Sequence, residues 1–186
     1  MNSDTDYKQL MAKYVDGNAD AFEAIYDHYK LPLWRYFRRQ VGDNGAADDL
    51  LRETFVRLVH YRHNYEPTGP FSAYIFCIGH RRLMDFYRRR DKEKPKSYAV
   101  KTSEEIEFGS ESVDPHLQPG QSERSKDLMV RLSNLPAAHR EVFLLKHETD
   151  LSLLEIGFVV NVDLDTVQQR LRNAVQVLQS SLEITA

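Results

Sequence analysis

The chain has 186 residues, a formal net charge of −3 and a hydrophobic fraction of 41%, which is enough for one ordinary domain or two small ones. Its single cysteine, Cys77, excludes an internal disulfide and a zinc site built from several cysteines. The first residues lack the apolar core of a signal peptide, and no stretch reaches the roughly 20 apolar residues of a membrane span. We therefore expect a soluble cytoplasmic protein with no membrane insertion of its own.

Apolar residues repeat at helical spacing through three segments of the first ninety residues. The first helix follows a probable cap at Asn18 and carries apolar side chains from Phe22 to Phe37. Two more helices are predicted over about residues 46–62 and 71–90, separated by a loop rich in Pro and Gly. The inward-facing side chains predicted for these two helices are Leu51, Phe55, Leu58, Tyr61, Phe71, Ile75, Ile78, Leu83 and Phe86.

The composition changes between about residues 91 and 125, where Ser, Gly, Pro and charged residues dominate. Acidic residues outnumber basic ones in this segment, so we predict an acidic, flexible linker.

Helical periodicity returns over residues 126–183 and ends in the order of a helix-turn-helix. Ser152 is placed to cap a short helix, Asn161 can take the left-handed turn, and Asp163 can cap the next helix. No strand alternation of useful length is present. The predicted fold is therefore all-α: a three- to four-helix domain over 6–90 and a helix-turn-helix domain over 126–183, joined by the linker.

The first domain has two clusters of charged residues, and each cluster has two possible interpretations. The third helix mixes aromatic side chains with five arginines, a combination that can stack on bases and neutralise phosphates, or simply form a core and a solvated helix end. The second helix carries Asp48, Asp49 and Glu53, which can compensate the helix dipole or dock against a basic partner helix. On composition alone the dipole explanation is favoured.

No constellation typical of an enzyme is present in the sequence. The seven histidines are scattered, and no Gly-rich phosphate loop or nucleophile elbow occurs. We therefore expect a binding protein that is not an enzyme, with no cofactor and no metal ion.

Four segments in order resemble the sigma-70-type initiation factors of bacterial RNA polymerase, specifically the short extracytoplasmic-function group. AFEAIYDHYKLPLWRYFRR (21–39) resembles the first conserved helix of that family, and AADDLLRETFVRLVHYRHNY (46–65) resembles its polymerase-clamp helix. GPFSAYIFCIGHRRLMDFYRRR (69–90) is similar to its −10 element helix, and residues 132–179 are similar to its −35-binding domain. The resemblance covers almost the whole chain.

The resemblance implies a transcription initiation factor that binds core polymerase and directs it to promoters through −10 and −35 elements. The implied partners are the coiled coil and flap of core polymerase, promoter DNA and an anti-sigma factor. The residues implied for polymerase binding are Asp48, Asp49, Leu50, Glu53 and Phe55, with Leu50 and Phe55 shaping or supporting the helix. The residues implied for the −10 element are Tyr65, Phe71, Tyr74, His80, Arg81, Arg82, Arg88, Arg89 and Arg90.

The residues implied for the −35 element are Lys146, Thr166, Gln168, Gln169, Arg170 and Arg172. This last helix departs from the family, which commonly has Gly-Thr-Val-Lys-Ser-Arg where this chain has Asp165–Arg170. A lost lysine and an added aspartate weaken the attraction to phosphate, whereas glutamine can still read adenine in the major groove.

Two functions other than promoter recognition fit parts of the sequence. A sigma-like decoy would titrate an anti-sigma factor or polymerase without reading promoters, and the weak −35 helix favours it. A simple helix-turn-helix regulator of duplex DNA would leave the first ninety residues unexplained.

Overall fold

The computed structural model describes residues 4–66, 68–93 and 122–183, which form eight α-helices and one short 3-10 helix, with no strand among them. The predicted linker over 91–125 therefore lies largely outside the described residues. The α-helices are α1 (Asp4–Val15), α2 (Ala19–Val41), α3 (Asn44–His60), α4 (Phe71–Glu93), α5 (Ser122–Ser133), α6 (Ala137–Glu148), α7 (Leu153–Val160) and α8 (Leu164–Glu183). The 3-10 helix spans Arg62–Asn64. No helix in the described ranges has the length and apolarity needed to cross a membrane.

Side-chain caps fix where several helices begin. Asn18 accepts a hydrogen bond from the Ala21 N–H at 3.1 Å, as predicted, and Asp43 accepts one from the Ala46 N–H at 2.7 Å. The cap at Asp43 starts α3 at Asn44, two residues before the position predicted from the apolar pattern. Helix α4 runs to Glu93, past its predicted end near residue 90.

Helices α1 to α4 enclose the first part of the core. Ile25, Leu33, Phe37 and Leu58 have no exposed surface. The inward prediction for Tyr61 is wrong: its side chain is 42% exposed, because α3 ends at His60 and the chain turns there into the 3-10 helix.

Gly79 allows α4 to lie close against α2. A Cβ atom at this position would come within 3.0 Å of the Phe37 ring and 3.4 Å of Leu33. The absence of a side chain therefore lets the middle of α4 pack directly against α2.

The helix-turn-helix of the second part is formed as predicted by α7, a turn and α8. Asn161 has φ 55° and ψ 51°, in the left-handed region, and Ser152 forms a reciprocal capping box with Glu155. A Cβ atom at Gly157 would lie 2.8 Å from the Val162 carbonyl oxygen, so the turn closes directly over this glycine.

The two parts pack against each other into one continuous core. Helix α6 contacts α2, and α7 contacts α4. Between the parts, the Tyr36 hydroxyl donates to Glu141 at 2.5 Å, and Arg140 donates to the Gln40 carbonyl at 2.9 Å.

Candidate functional site

A groove between α2 and α3 presents apolar side chains to solvent. It encloses about 700 Å³, and Val56 on its rim is 60% exposed. Exposed aliphatic and aromatic side chains beside charged ones are typical of a protein-docking surface. The groove is lined by Phe22, Tyr26, Asp48, Leu51, Arg52, Phe55, Val56, Val59, His60 and Arg62.

Two of the three acids of α3 border different grooves, and the third pairs with a neighbour on the same helix. Asp48 lines the α2–α3 groove and accepts a hydrogen bond from the Trp34 indole N–H at 2.7 Å, which ties it to α2. Glu53 lines the neighbouring groove between α3 and α4, where Arg89 lies 3.5 Å from its carboxylate. Asp49 pairs with Arg52 at 2.7 Å. Asp48 and Glu53, predicted to share one docking face, thus lie on the rims of different grooves.

Leu50 and Phe55 lie beneath this surface. Their exposed fractions are 2% and 5%, and Phe55 packs edge-on against the ring of Phe22 at 6.2 Å between centroids. Both side chains therefore hold α3 against the core rather than present themselves to solvent.

The groove between α3 and α4 is strongly basic. It encloses about 550 Å³ and is lined by six basic and two acidic side chains, together with Val56. Asp85 pairs with Arg82 at 2.6 Å and with Arg88 at 2.5 Å, which aligns the two guanidinium groups along α4. The basic side chains are Arg52, Arg57, Arg82, Arg88, Arg89 and Lys92. Such a groove can follow the phosphates of a nucleic acid strand.

An aromatic pocket of about 280 Å³ opens beside the basic groove. Tyr61 and Tyr74 line it together with Ile78 and the guanidinium groups of Arg57, Arg81 and Arg82. The Arg57 guanidinium lies 5.5 Å from the centre of the Tyr61 ring and donates to its hydroxyl at 3.0 Å. Rings for stacking and cations for phosphate meet here, which suits an unpaired base.

Tyr65 and Tyr74 pack against each other, with ring centroids 4.8 Å apart. Burial raises the pKa of the Tyr74 phenol, although the nearby Arg81 opposes the shift, so this hydroxyl remains a neutral hydrogen-bond donor. The sequence had assigned Tyr61 to the core and had not singled out Arg57. The spacing of Arg57 and Tyr61, four residues apart at the end of α3 and just before the Pro/Gly loop, could have indicated that they lie together.

Phe71 was predicted both as a core residue and, from the resemblance, as a −10 contact; the structure confirms the core position and corrects the direct DNA contact. Phe71 has no exposed surface, and its ring packs between Tyr29 at 5.4 Å and Tyr65 at 5.9 Å. It is the first residue of α4, and its burial anchors that helix under the aromatic pocket.

His80 also lies away from the aromatic pocket. Its Nδ1 atom is 2.6 Å from the Glu141 carboxylate, so it faces α6 of the second part. Arg81, the next residue, is exposed and lines the pocket. The structure therefore brings Tyr65, Tyr74, Arg81 and Arg82 together and separates His80 from them.

The last helix exposes part of the predicted −35 surface. Gln169 and Arg172 are exposed, whereas Thr166, Gln168 and Arg170 are half-buried. Lys146, at the end of α6, is exposed. Asp163 is occupied as a cap: it accepts a hydrogen bond from the Thr166 N–H at 2.7 Å.

Helix α7 carries a further apolar surface that the sequence reading missed. Leu154 and Phe158 are 71% and 73% exposed and lie four residues apart, on one face of the helix. Two large apolar side chains exposed side by side are unusual on a surface that only faces solvent, and they are typical of a site that binds another protein.

Within the described parts of the chain, no group of three or more His, Cys, Asp or Glu side chains is arranged to hold a metal ion.

Each of the two helical parts matches a known protein family. Sigma-70 region 2 matches residues 25–93, and Sigma-70 region 4 matches residues 131–180. The chain is 26% identical, over 179 residues, to the ECF RNA polymerase sigma factor SigW of Bacillus subtilis, covering 94% of this chain and 96% of that protein.

Two solved structures share the fold. CnrH in complex with the cytosolic domain of CnrY has a TM-score of 0.70 at 22% identity, covering 95% of this chain and 97% of that one. The sigma factor RpoE in complex with the anti-sigma factor NepR, from Bartonella quintana, has a TM-score of 0.72 at 18% identity, covering 89% and 98%.

Two helical domains in this order, one with a basic and aromatic face and the other with a helix-turn-helix, are those of a bacterial transcription initiation factor, and the chain belongs to the sigma-70 family. Within that family it is an extracytoplasmic-function sigma factor. The members of this family are initiation factors rather than enzymes.

Proposed function

We propose that this chain binds core RNA polymerase in the cytoplasm and directs it to a limited set of promoters. In this proposal, residues 6–90 bind the polymerase and open the −10 element, residues 91–125 form the acidic linker, and residues 126–183 recognise the −35 element. The observation that carries the proposal is the arrangement on α3 and α4. An apolar groove, a basic groove and an aromatic pocket lie side by side on two packed helices. Polymerase docking and strand capture can then occur on one rigid domain.

The α2–α3 groove is the proposed seat for the coiled coil of the largest polymerase subunit. Val56 and Tyr26 offer apolar contact, and the carboxylate of Asp48 in the groove, with that of Asp49 next to it along the chain, offers charge complementarity to a basic helix. Leu50 and Phe55 keep the docking helix in place from below.

The aromatic pocket is the proposed site for an extruded base of the −10 element. Unstacking a base costs a few kcal/mol, and stacking on Tyr61 or Tyr74 offsets that cost. Arg81 and Arg82 would hold the flanking phosphates, and Arg88, Arg89 and Arg90 would continue the track along α4. His80 would join this set once its contact with Glu141 is broken.

The helix-turn-helix is the proposed −35 reader, with Gln169 and Arg172 in direct reach and Thr166, Gln168 and Arg170 beside them. Lys146 would contact a phosphate. Gln can read adenine through paired hydrogen bonds, and arginine can read guanine or hold phosphate. The exposed Leu154 and Phe158 are a suitable contact for the polymerase flap.

An anti-sigma factor is a further proposed partner, because two structural neighbours were solved with the CnrY cytosolic domain and with the anti-sigma factor NepR.

The acidic linker over 91–125 would pass through polymerase channels that RNA otherwise occupies. Its negative charge suits channel surfaces that bind a polyanion.

Reconstitution with core polymerase tests the proposal. Purified chain and core are mixed with genomic fragments, and transcript starts are mapped with and without the chain. We expect starts that depend on the chain and share sequence motifs upstream. Binding to core with no chain-dependent start would favour the decoy function, and absence of core binding would contradict both.

A further inference from the structure

Helix α1 contacts the part of the chain that forms the aromatic pocket. It packs against α2, α4 and the 3-10 helix at Arg62–Asn64. Its inner face carries Tyr7 and Met11, which are 5% and 0% exposed. The residues that line the proposed docking groove and base pocket come from α2 to α4 and from the turn between α3 and α4. Helix α1 can therefore influence these two sites only from behind.

Tyr14 of α1 contacts the turn that follows α3. The Arg62 guanidinium lies 5.9 Å from the centre of the Tyr14 ring, and it donates a hydrogen bond to the Val59 carbonyl at 3.0 Å. On α2, the ring of Phe22 packs against Tyr14 with 5.0 Å between centroids. Arg62 thus joins α1 to the last turn of α3 and fixes the start of the 3-10 helix.

The 3-10 helix leads directly to the walls of the aromatic pocket. The Asn64 N–H donates to the Tyr61 carbonyl at 2.9 Å, and the Tyr65 N–H donates to the Arg62 carbonyl at 3.3 Å. Tyr61 lines the pocket, and Tyr65 packs on its second tyrosine wall, Tyr74, with 4.8 Å between centroids. A shift at Arg62 would therefore displace both aromatic walls.

Tyr7 contacts the other flank of the pocket, at the start of α4. Its ring stacks on Phe71 with 6.5 Å between centroids and meets Tyr29 of α2 edge-on at 5.2 Å. The Phe71 ring lies in turn 6.0 Å from Tyr74 and 5.9 Å from Tyr65. Tyr7 is thus one ring removed from the residues that face a base.

Tyr7 and Tyr14 lie seven residues apart, close to two helical turns, and so share one face of α1. One contacts the start of α4 and the other contacts the turn after α3, and the pocket takes walls from both segments. We propose that α1 is a brace for the aromatic pocket, with Tyr7 and Tyr14 as positioning residues that hold its walls in place for an extruded base. The identity of the ligand rests on the proposed function, whereas the bracing is a property of the chain alone.

The turn after α3 has little burial of its own. Tyr61 is 42% exposed, and His63 and Asn64 are exposed as well. Ordering a loose turn when a ligand binds reduces the affinity, so walls that are already in place favour capture of a base. The contacts from α1 supply the order that the turn lacks.

Amide hydrogen exchange of the full chain tests the brace without polymerase or DNA. Tyr14→Leu removes the ring beside Arg62 and keeps an apolar side chain, whereas Tyr14→Phe keeps the ring. We expect the Asn64 and Tyr65 amides to exchange about two- to fivefold faster in Tyr14→Leu, the size of one lost cation–π contact, and at the wild-type rate in Tyr14→Phe.

Gln9→Leu, which places the same side chain on the exposed side of α1, is the matched control and should exchange like wild type. Equal exchange in Tyr14→Leu and wild type would overturn the proposal. Acceleration spread evenly over α1 to α4, or an equal acceleration in Tyr14→Phe, would also overturn it, because either result would mean that the Tyr14 ring does not act on the turn in particular.

Strand capture by the polymerase-bound chain tests the consequence of the brace. The probe is a fluorescein-labelled non-template strand that covers the −10 element of one promoter mapped by reconstitution. We expect Tyr14→Leu and Tyr7→Leu each to weaken its binding about fivefold, a part of the stacking of one base, with core affinity within about twofold of wild type. Tyr14→Phe and Tyr7→Phe, which keep the rings, should bind the strand like wild type.

The leucine variant of Tyr14 decides the outcome, because that side chain is only half-buried and its replacement leaves the core intact. Wild-type strand affinity in this variant, or a loss of core binding that equals the loss of strand binding, would overturn the proposal. A chain that shows the expected exchange but never yields transcript starts with core would defeat the proposed function alone. A chain that initiates while its leucine variants exchange and bind like wild type would defeat the brace alone.

Discussion

Asp163 starts the last helix, and in the sequence it stands out as an acid at the tip of a proposed DNA-reading element. In the structure its carboxylate accepts the Thr166 N–H at 2.7 Å. That backbone hydrogen bond, with further contributions from the Thr166 side chain and Arg170, lowers the pKa of Asp163. The acid therefore serves as a helix cap, and the specificity of the helix depends on the residues that follow it.

Arg170 is one of the residues through which we expect the −35 element to be recognised. Arg170→Ala should reduce initiation at the chain's own promoters about tenfold, the usual size of a lost arginine contact to DNA, while core binding stays unchanged. Gln176→Ala, an exposed change farther along α8, is the matched control. Unaltered initiation in Arg170→Ala, Gln168→Ala and Gln169→Ala alike would leave the −35 assignment without support.

Cys77 gives stability a dependence on alkaline pH. Burial raises the pKa of its thiol from 9.0 to about 11. As pH rises past 9.0 the unfolded chain ionises first, so the free energy of unfolding should fall until the folded thiol ionises near pH 11. Urea unfolding of wild type and Cys77→Ala across this interval isolates the effect, and a stability difference independent of pH would contradict it.

Gly157 closes the helix-turn-helix. In Gly157→Ala the new Cβ would lie 2.8 Å from the Val162 carbonyl oxygen, so the turn must shift. We expect a loss of about 1–3 kcal/mol in the free energy of unfolding, measured by urea titration. Gly69→Ala, where a Cβ meets nothing within 4 Å, is the control and should leave stability nearly unchanged.

At the scale of elements, α3 has a double role because its two sides border different grooves. One side meets α2 and forms the apolar groove, and the other meets α4 and forms the basic groove. Trp34 fixes the first side by its hydrogen bond to Asp48. Val56 and Arg52 border both grooves, so the two proposed activities are separable at residues that border one groove alone, Asp48 for the apolar groove and Glu53 for the basic one.

Val56→Glu tests the polymerase side of α3. Val56 is 60% exposed, so the change should leave the melting temperature unaltered while a charge in the apolar groove lowers core affinity about tenfold or more. Val130→Glu on α5, where the side chain is 58% exposed, is the matched control. Equal core affinity of both variants and wild type would place the docking site elsewhere.

The elements differ in how far the sequence could predict them. Helix positions and the caps at Asn18, Ser152 and Asp163 follow from local chemistry, because apolar spacing and side-chain acceptors act within a few residues. Phe71 received two predictions, because an aromatic residue at a helix start can stack on a base or enter the core. The packing of Tyr29 and Tyr65 around its ring decides for the core.

At the scale of the whole molecule, the sequence predicted two domains but not how they dock. The hydrogen bonds of Glu141 and Arg140 join residues about a hundred positions apart along the chain, and no local pattern in α6 indicates their partners. The same docking moves His80 from the proposed base pocket to the domain interface. In this docking, His80, which the proposed function assigns to the −10 element, is engaged by Glu141.

The central claim is that this chain opens promoters when it is bound to core polymerase. Permanganate footprinting of unpaired thymines on genomic fragments, with core and the full chain, tests it most directly. We predict reactive thymines that depend on the chain and cluster about ten positions upstream of each mapped start, where the proposed function places the aromatic pocket. Core binding by the chain with no chain-dependent thymine reactivity on any fragment would contradict the claim.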